Sequence, residues 1–132
     1  EKPLMASHSN ARAICDTERN LTDAQIEAIH EKKGLIGLNF GVAFLDPEKN
    51  PKKIDMGFEI LKKHIDHIVN LSDINTIALG TDFDGTTVPK CIDSCEKLKN
   101  LYDYLLNNGY SRKDLKKVCF DNFLRIFNDT WK

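Results

Sequence analysis

A histidine between two serines, Ser7-His8-Ser9, follows directly on the short apolar run Leu4-Met5-Ala6. An imidazole at the end of a buried strand can ligate zinc or act as a general base. The alternative is a histidine that only hydrogen-bonds the strand end. Asp82 and Asp84 stand in Gly80-Thr81-Asp82-Phe83-Asp84-Gly85, behind a second apolar run, Thr76-Ile77-Ala78-Leu79. A carboxylate there is partly desolvated, which moves it toward the range of a proton shuttle. Asp-Gly pairs are also common in solvated turns, so both readings stay open.

Other titratable residues point away from a site. His64-Ile65-Asp66-His67 has the look of a metal motif, but it lies inside a helical pattern. Residues two apart on a helix diverge by about 200°, which splays a His-x-Asp pair. Leu61, Ile65 and Ile68 claim the core, so His64 and His67 are expected on the helix surface or against loops, binding no metal. His30, near a helix end, reads as a partner for the helix dipole. Cys91 and Cys95 have no second Cys/His pair near them, against a zinc knuckle. Cys15 and Cys119 read as small buried apolar residues. Arg19-Asn20 is a short loop that by itself carries little.

The elements that must position these residues alternate. Continuous apolar runs at 4–6, 35–40 and 76–79 suit parallel strands covered on both faces. Helical patterns lie between and after them, which is the βαβ signature. Thr22 with Gln25 forms a capping-box pattern. The helix it opens turns Ile26, Ile29 and Ala28 inward, with Gly34 as a left-handed stop. A helix over 54–71 carries Ile54, Phe58, Leu61, Ile65 and Ile68 as one stripe. Another over 96–107 turns Leu98, Leu101, Tyr102 and Leu105 inward and ends at Gly109. Ser111 with Asp114 caps a fourth, and 122–127 forms a last apolar turn or two. The one long loop is 44–53. In parallel α/β structures chemistry sits at the carboxyl ends of the strands, which singles out His8, residues 39–44, Asp82 and Asp84.

Composition bounds the rest. The formal charge of −1 argues against a basic surface for nucleic acid, and no apolar run is long enough for a membrane span. At 132 residues the chain is one segment, 1–132, too short for a whole (β/α)8 barrel of about 250. It opens Glu1-Lys2-Pro3 and enters an apolar run at once, which reads as an internal cut. The absence of a signal and the Lys-, Asn- and Ile-rich composition fit a bacterial cytoplasmic setting.

Taken in order, several motifs resemble one family. Pro3-x-x-x-Ser7-His8-Ser9-Asn10-Ala11 is followed by Arg19-Asn20-Leu21-Thr22-Asp23 and by Gly34-Leu-Ile-Gly37-Leu-Asn39-Phe40. His64-Ile-Asp-His67-Ile, Gly80-Thr-Asp82-Phe-Asp84-Gly85, Gly109-Tyr110-Ser111 and Asn122-Phe-Leu124-Arg125-Ile-Phe127 complete the set. This is similar to the membrane (renal) dipeptidase family, zinc peptidase family M19. The resemblance implies a TIM-like barrel with two zinc ions at its carboxyl face, of which this chain would form strands six to eight. It implies His8 as a zinc ligand, Arg19 as the group binding the substrate's carboxylate, and Asp82 as the proton shuttle. In the family a zinc-bridging hydroxide attacks the dipeptide carbonyl, and the aspartate passes a proton to the leaving amine.

The family's strand-one His-x-Asp, bridging Glu and strand-five His have no counterpart here. The chain alone is therefore expected to be inactive, since catalytic zinc needs about three protein ligands. Its expected partners are a dipeptide, the amino-terminal part of the same barrel, or a second copy joined through edges at 4–6 or 35–40. The other reading is a non-catalytic α/β fragment or interaction module without metal.

Overall fold

The computed structural model describes residues 2–131. Glu1, where the sequence reads as a cut, lies outside them. Three short strands, β1 (Met5–Ala6), β2 (Leu35–Asn39) and β3 (Ile77–Thr81), form one parallel sheet in the order β1-β2-β3. β2 is hydrogen-bonded on both sides and buried throughout, so it is not an edge as the sequence reading had it. The edges are β1 and β3.

Helix α1 (Asp23–Glu31) connects β1 to β2, and its Thr22–Gln25 capping box is formed in both directions. The left-handed stop falls on Lys33, φ 53°, one residue before the expected glycine. Gly34 is needed for a different reason: a Cβ there would sit 2.4 Å from the carbonyl oxygen of Leu4. A single turn, α2 (Val42–Leu45), follows β2, and α3 (Phe58–Leu71) returns the chain to β3. α3 starts later than residue 54, because Ile54 instead accepts a hydrogen bond from the Lys90 N–H and Gly57 is extended.

After β3 two 3-10 turns (Lys90–Ile92 and Cys95–Lys97) lead into α4 (Leu98–Asn107), which stops at Gly109 with φ +108°. A second complete capping box, Ser111 with Asp114, opens α5 (Arg112–Lys116). It runs through a π turn, Lys117–Asp121, into α6 (Asn122–Thr130). Leu115, Val118, Asn122 and Ile126 take the inward positions of this long helix. That spacing leaves Cys119 exposed, where a buried thiol was expected.

Ile36, Leu38, Phe40 and Ile77 pack against Ile26, Leu61, Ile65, Ile68, Leu101 and Leu105 on the helical side of the sheet. The opposite side is thinner: Leu35 and Ala78 meet Ile126 of α6. Above them the chain after β1 folds across the sheet. A Cβ at Gly37 or Gly80 would lie 2.0 or 2.3 Å from the Ser7 carbonyl oxygen. Gly37→Ala must push that crossing outward and should destabilise the fold by roughly 1–3 kcal/mol in urea unfolding. An unchanged midpoint would mean that the crossing is soft. No described helix is long and apolar enough to cross a membrane.

Candidate active site at the strand carboxyl ends

All three strands run parallel, so their carboxyl ends share one rim of the sheet. His8 lies two residues beyond β1 with an exposed ring, its Nδ1 hydrogen-bonded to Ser7 Oγ at 2.7 Å. Asp82 follows β3 directly and is half-buried. The pairing of β2 with β3 slips at this point, from Leu38↔Leu79 to Asn39↔Thr81, and the slip is a bulge. Bulges re-aim side chains at the ends of sheets. Here Thr81 and Asp82 both enter the left-handed region, at φ 33° and 65°. Asp84 therefore does not continue a strand alternation with Asp82; it sits exposed in the following turn.

Asn39 closes the gap between the two outer ends. Its Nδ2 donates to Asp82 Oδ2 at 3.1 Å and to the His8 carbonyl at 3.4 Å. Asn10 forms a reciprocal pair with the Asn39 backbone, donating from Nδ2 to its carbonyl at 2.9 Å and accepting its N–H at 2.8 Å. Asn20 holds the next loop, donating from Nδ2 to the carbonyls of Cys15 and Phe44, each at 2.9 Å. Arg12 braces the same loop through the carbonyls of Asn20 and Glu18. The Arg19 guanidinium, exposed, lies over the Phe44 ring at 5.4 Å. A planar cation held over an aromatic face is well placed for a carboxylate while its donors stay outward.

The sequence reading singles out the segment 39–44 that holds Asn39, but gives no role to the amides of Asn10, Asn20 or Asn39. Their signal was there: amides inside otherwise buried segments must find partners. All three are at most 2% exposed, and among the described residues no buried side-chain polar atom lacks a partner.

His64 is the clearest correction. It is fully buried rather than on the helix surface, and of its two partners only Ala11 lies in a loop, Leu45 being the end of α2. Its Nδ1 accepts the Ala11 N–H and its Nε2–H donates to the Leu45 carbonyl, both at 3.2 Å. That fixes a neutral tautomer, and burial lowers its pKa to about 4. The ring clamps the loop after β1 to α2. His67 pairs with Asp23 at 2.7 Å, and His30 with Thr76 Oγ1 at 2.9 Å, tying α1 to the start of β3.

A metal does not fit the residues on this rim by themselves. His8 is the one imidazole there among the described residues. Among the described residues no three His, Cys, Asp or Glu side chains cluster closely enough to hold an ion.

Comparison with known proteins places this geometry in context. A sequence model described as Membrane dipeptidase (Peptidase family M19) matches residues 1–132. An uncharacterized protein in the pqqA 5' region of Klebsiella pneumoniae is 38% identical over 130 residues, covering 98% of this chain and 48% of the relative. An uncharacterized dipeptidase of Schizosaccharomyces pombe is 34% identical, with 97% and 31% covered. The crystal structure of a metallopeptidase from Rhodobacter sphaeroides, liganded with a phosphinate mimic of the dipeptide L-Ala-D-Ala, superposes with a TM-score of 0.95 at 35% identity. It covers 99% of this chain and 37% of that one. The chain thus spans less than half the length of these relatives.

Proposed function

The chain belongs to the membrane dipeptidase family, peptidase family M19, and on that premise we propose that it forms one side of a dipeptide-hydrolysing site. In this reading it makes up the last three βα units, strands six to eight, of a TIM-like barrel whose remainder corresponds to the length its relatives carry beyond it. The observation that carries the proposal is the rim itself: one buried amide, Asn39, bonds both Asp82 and the His8 backbone, and Asn10 and Asn20 hold the Arg19 loop against it.

Each residue has a task that its surroundings suit. Arg19, spread over Phe44, takes the free carboxylate of the dipeptide. That interaction is present before and during reaction, so it sets affinity more than turnover. Asp82, directly after β3, is the residue proposed to carry a proton to the leaving amine. His8 offers one imidazole toward the zinc site of the complete barrel, and the other ligands would come from outside residues 2–131. The chain alone is accordingly proposed to be inactive. The join would run along β1 and α6, where Leu4, Met5, Phe123 and Phe127 are exposed.

The test is a graft. Residues 2–131 replace the aligned segment of the Rhodobacter sphaeroides metallopeptidase, and hydrolysis of L-Ala-D-Ala is followed with zinc present. Arg19→Ala in the graft should raise KM by roughly 10- to 100-fold, the worth of a charged hydrogen-bonded pair, with kcat little changed. An unchanged KM would remove Arg19 from substrate binding.

A further inference from the structure

We infer that Asn39 is a positioning residue that locks the Asp82 carboxylate through Oδ2 and so leaves proton transfer to Oδ1. The inference deepens the dipeptidase reading and rests on it for its chemistry, but the lock itself is a property of this chain.

The amide can face only one way. Its Oδ1 accepts the Gly41 N–H at 2.6 Å, a donor that requires an oxygen there. The NH2 group must then point at Asp82 Oδ2 and the His8 carbonyl, and each is an acceptor within reach. Asn39 is 1% exposed, and its backbone is fixed on both sides by the Asn10 amide. The side chain therefore has no room to turn and no unused polar atom.

Asp82 in turn meets a fixed donor on one oxygen and bare backbone under the other. A Cβ at position 85 would come within 2.2 Å of Asp82 Oδ1, so only glycine leaves that oxygen its place. Oδ2 is taken by the Asn39 amide, and Oδ1 is left as the proton carrier. The left-handed backbone at Asp82 supplies the aim, and the Asn39 amide supplies the hold.

The test reads the Asp82 side chain directly, in the full 132-residue chain. Three-bond couplings from Asp82 Cγ to its backbone nitrogen and carbonyl carbon report whether one χ1 rotamer dominates. The unaltered chain should show single-rotamer values. Asn39→Leu, similar in shape but without donors, should give averaged values, with amide resonances away from 39–41 and 82–85 unmoved. Retention of the single rotamer would overturn the inference. Should Asn39→Leu fail to fold, because the Gly41 N–H loses its acceptor, Asp82→Ala reads the same contact from the other side. The Asn39 side-chain NH2 protons should then exchange with solvent at least about tenfold faster, since a hydrogen bond that protects them is gone. Unchanged exchange would equally overturn it. In an active graft, Asn39→Leu should lower kcat on the order of 100-fold at unchanged KM, the cost of a misplaced reacting group. An inactive unsubstituted graft would count against the dipeptidase reading, while the couplings would still decide the role of Asn39.

Discussion

Replacing Asp82 with asparagine in the assembled site should lower kcat by on the order of 10²- to 10⁴-fold, the range supplied by a positioned general acid–base group. The substitution is chosen to change little else. Asparagine has the same shape and is among the residues that tolerate the left-handed backbone found here, φ 65°. Its amide oxygen can still accept from Asn39 Nδ2, so the contact at 3.1 Å survives. What is lost is the capacity to take up and release a proton. KM should stay within a few-fold of its starting value, because Arg19 is untouched. A variant that keeps more than about a tenth of its turnover would show that the proton travels by another group.

The second large effect concerns His64. A ring that is about 4 in pKa when folded and ordinary when unfolded couples folding to pH. Between roughly pH 6.5 and 4 the unfolded chain takes up a proton there that the folded chain does not, so stability is highest above that window. It should fall by roughly 3 kcal/mol as the pH drops through it. Carboxylates add their own acid loss, so the comparison is with His64→Gln, from which this part of the slope should be missing. His64→Leu should go further at neutral pH. It strands the buried Ala11 N–H and Leu45 carbonyl, at a cost of roughly 2–6 kcal/mol together. Urea unfolding measures both effects, and a His64→Leu midpoint equal to that of the unaltered chain would mean the clamp is redundant.

Local signals in the sequence located most elements because they act over a few residues. The two capping boxes, Thr22 with Gln25 and Ser111 with Asp114, form as their spacing implies. Continuous apolar runs found the three strands to within a residue or two. What stayed hidden depends on partners far along the chain. His64 is three residues from Leu61 and four from Ile68, on the buried stripe, but the groups that make it a core residue are 53 and 19 positions away. The left-handed turn at Thr81 and Asp82 follows from a bulge against β2, and no motif in 80–85 encodes the partner's register. The Asn39–Asp82 contact likewise spans 43 positions. Cys119 is exposed because the inward positions of the last helix fall on Leu115, Val118, Asn122 and Ile126.

We propose that Arg19, His8 and Asp82 share one dipeptide-hydrolysing rim that this chain cannot complete alone. The most direct measurement compares zinc-dependent dipeptide hydrolysis by the isolated chain and by the graft at equal concentration. The account predicts no hydrolysis above the uncatalysed rate by the chain, and turnover by the graft that depends on Asp82. Hydrolysis by the isolated chain at the rate of the graft would contradict it, as would a folded, zinc-loaded graft that turns over no dipeptide.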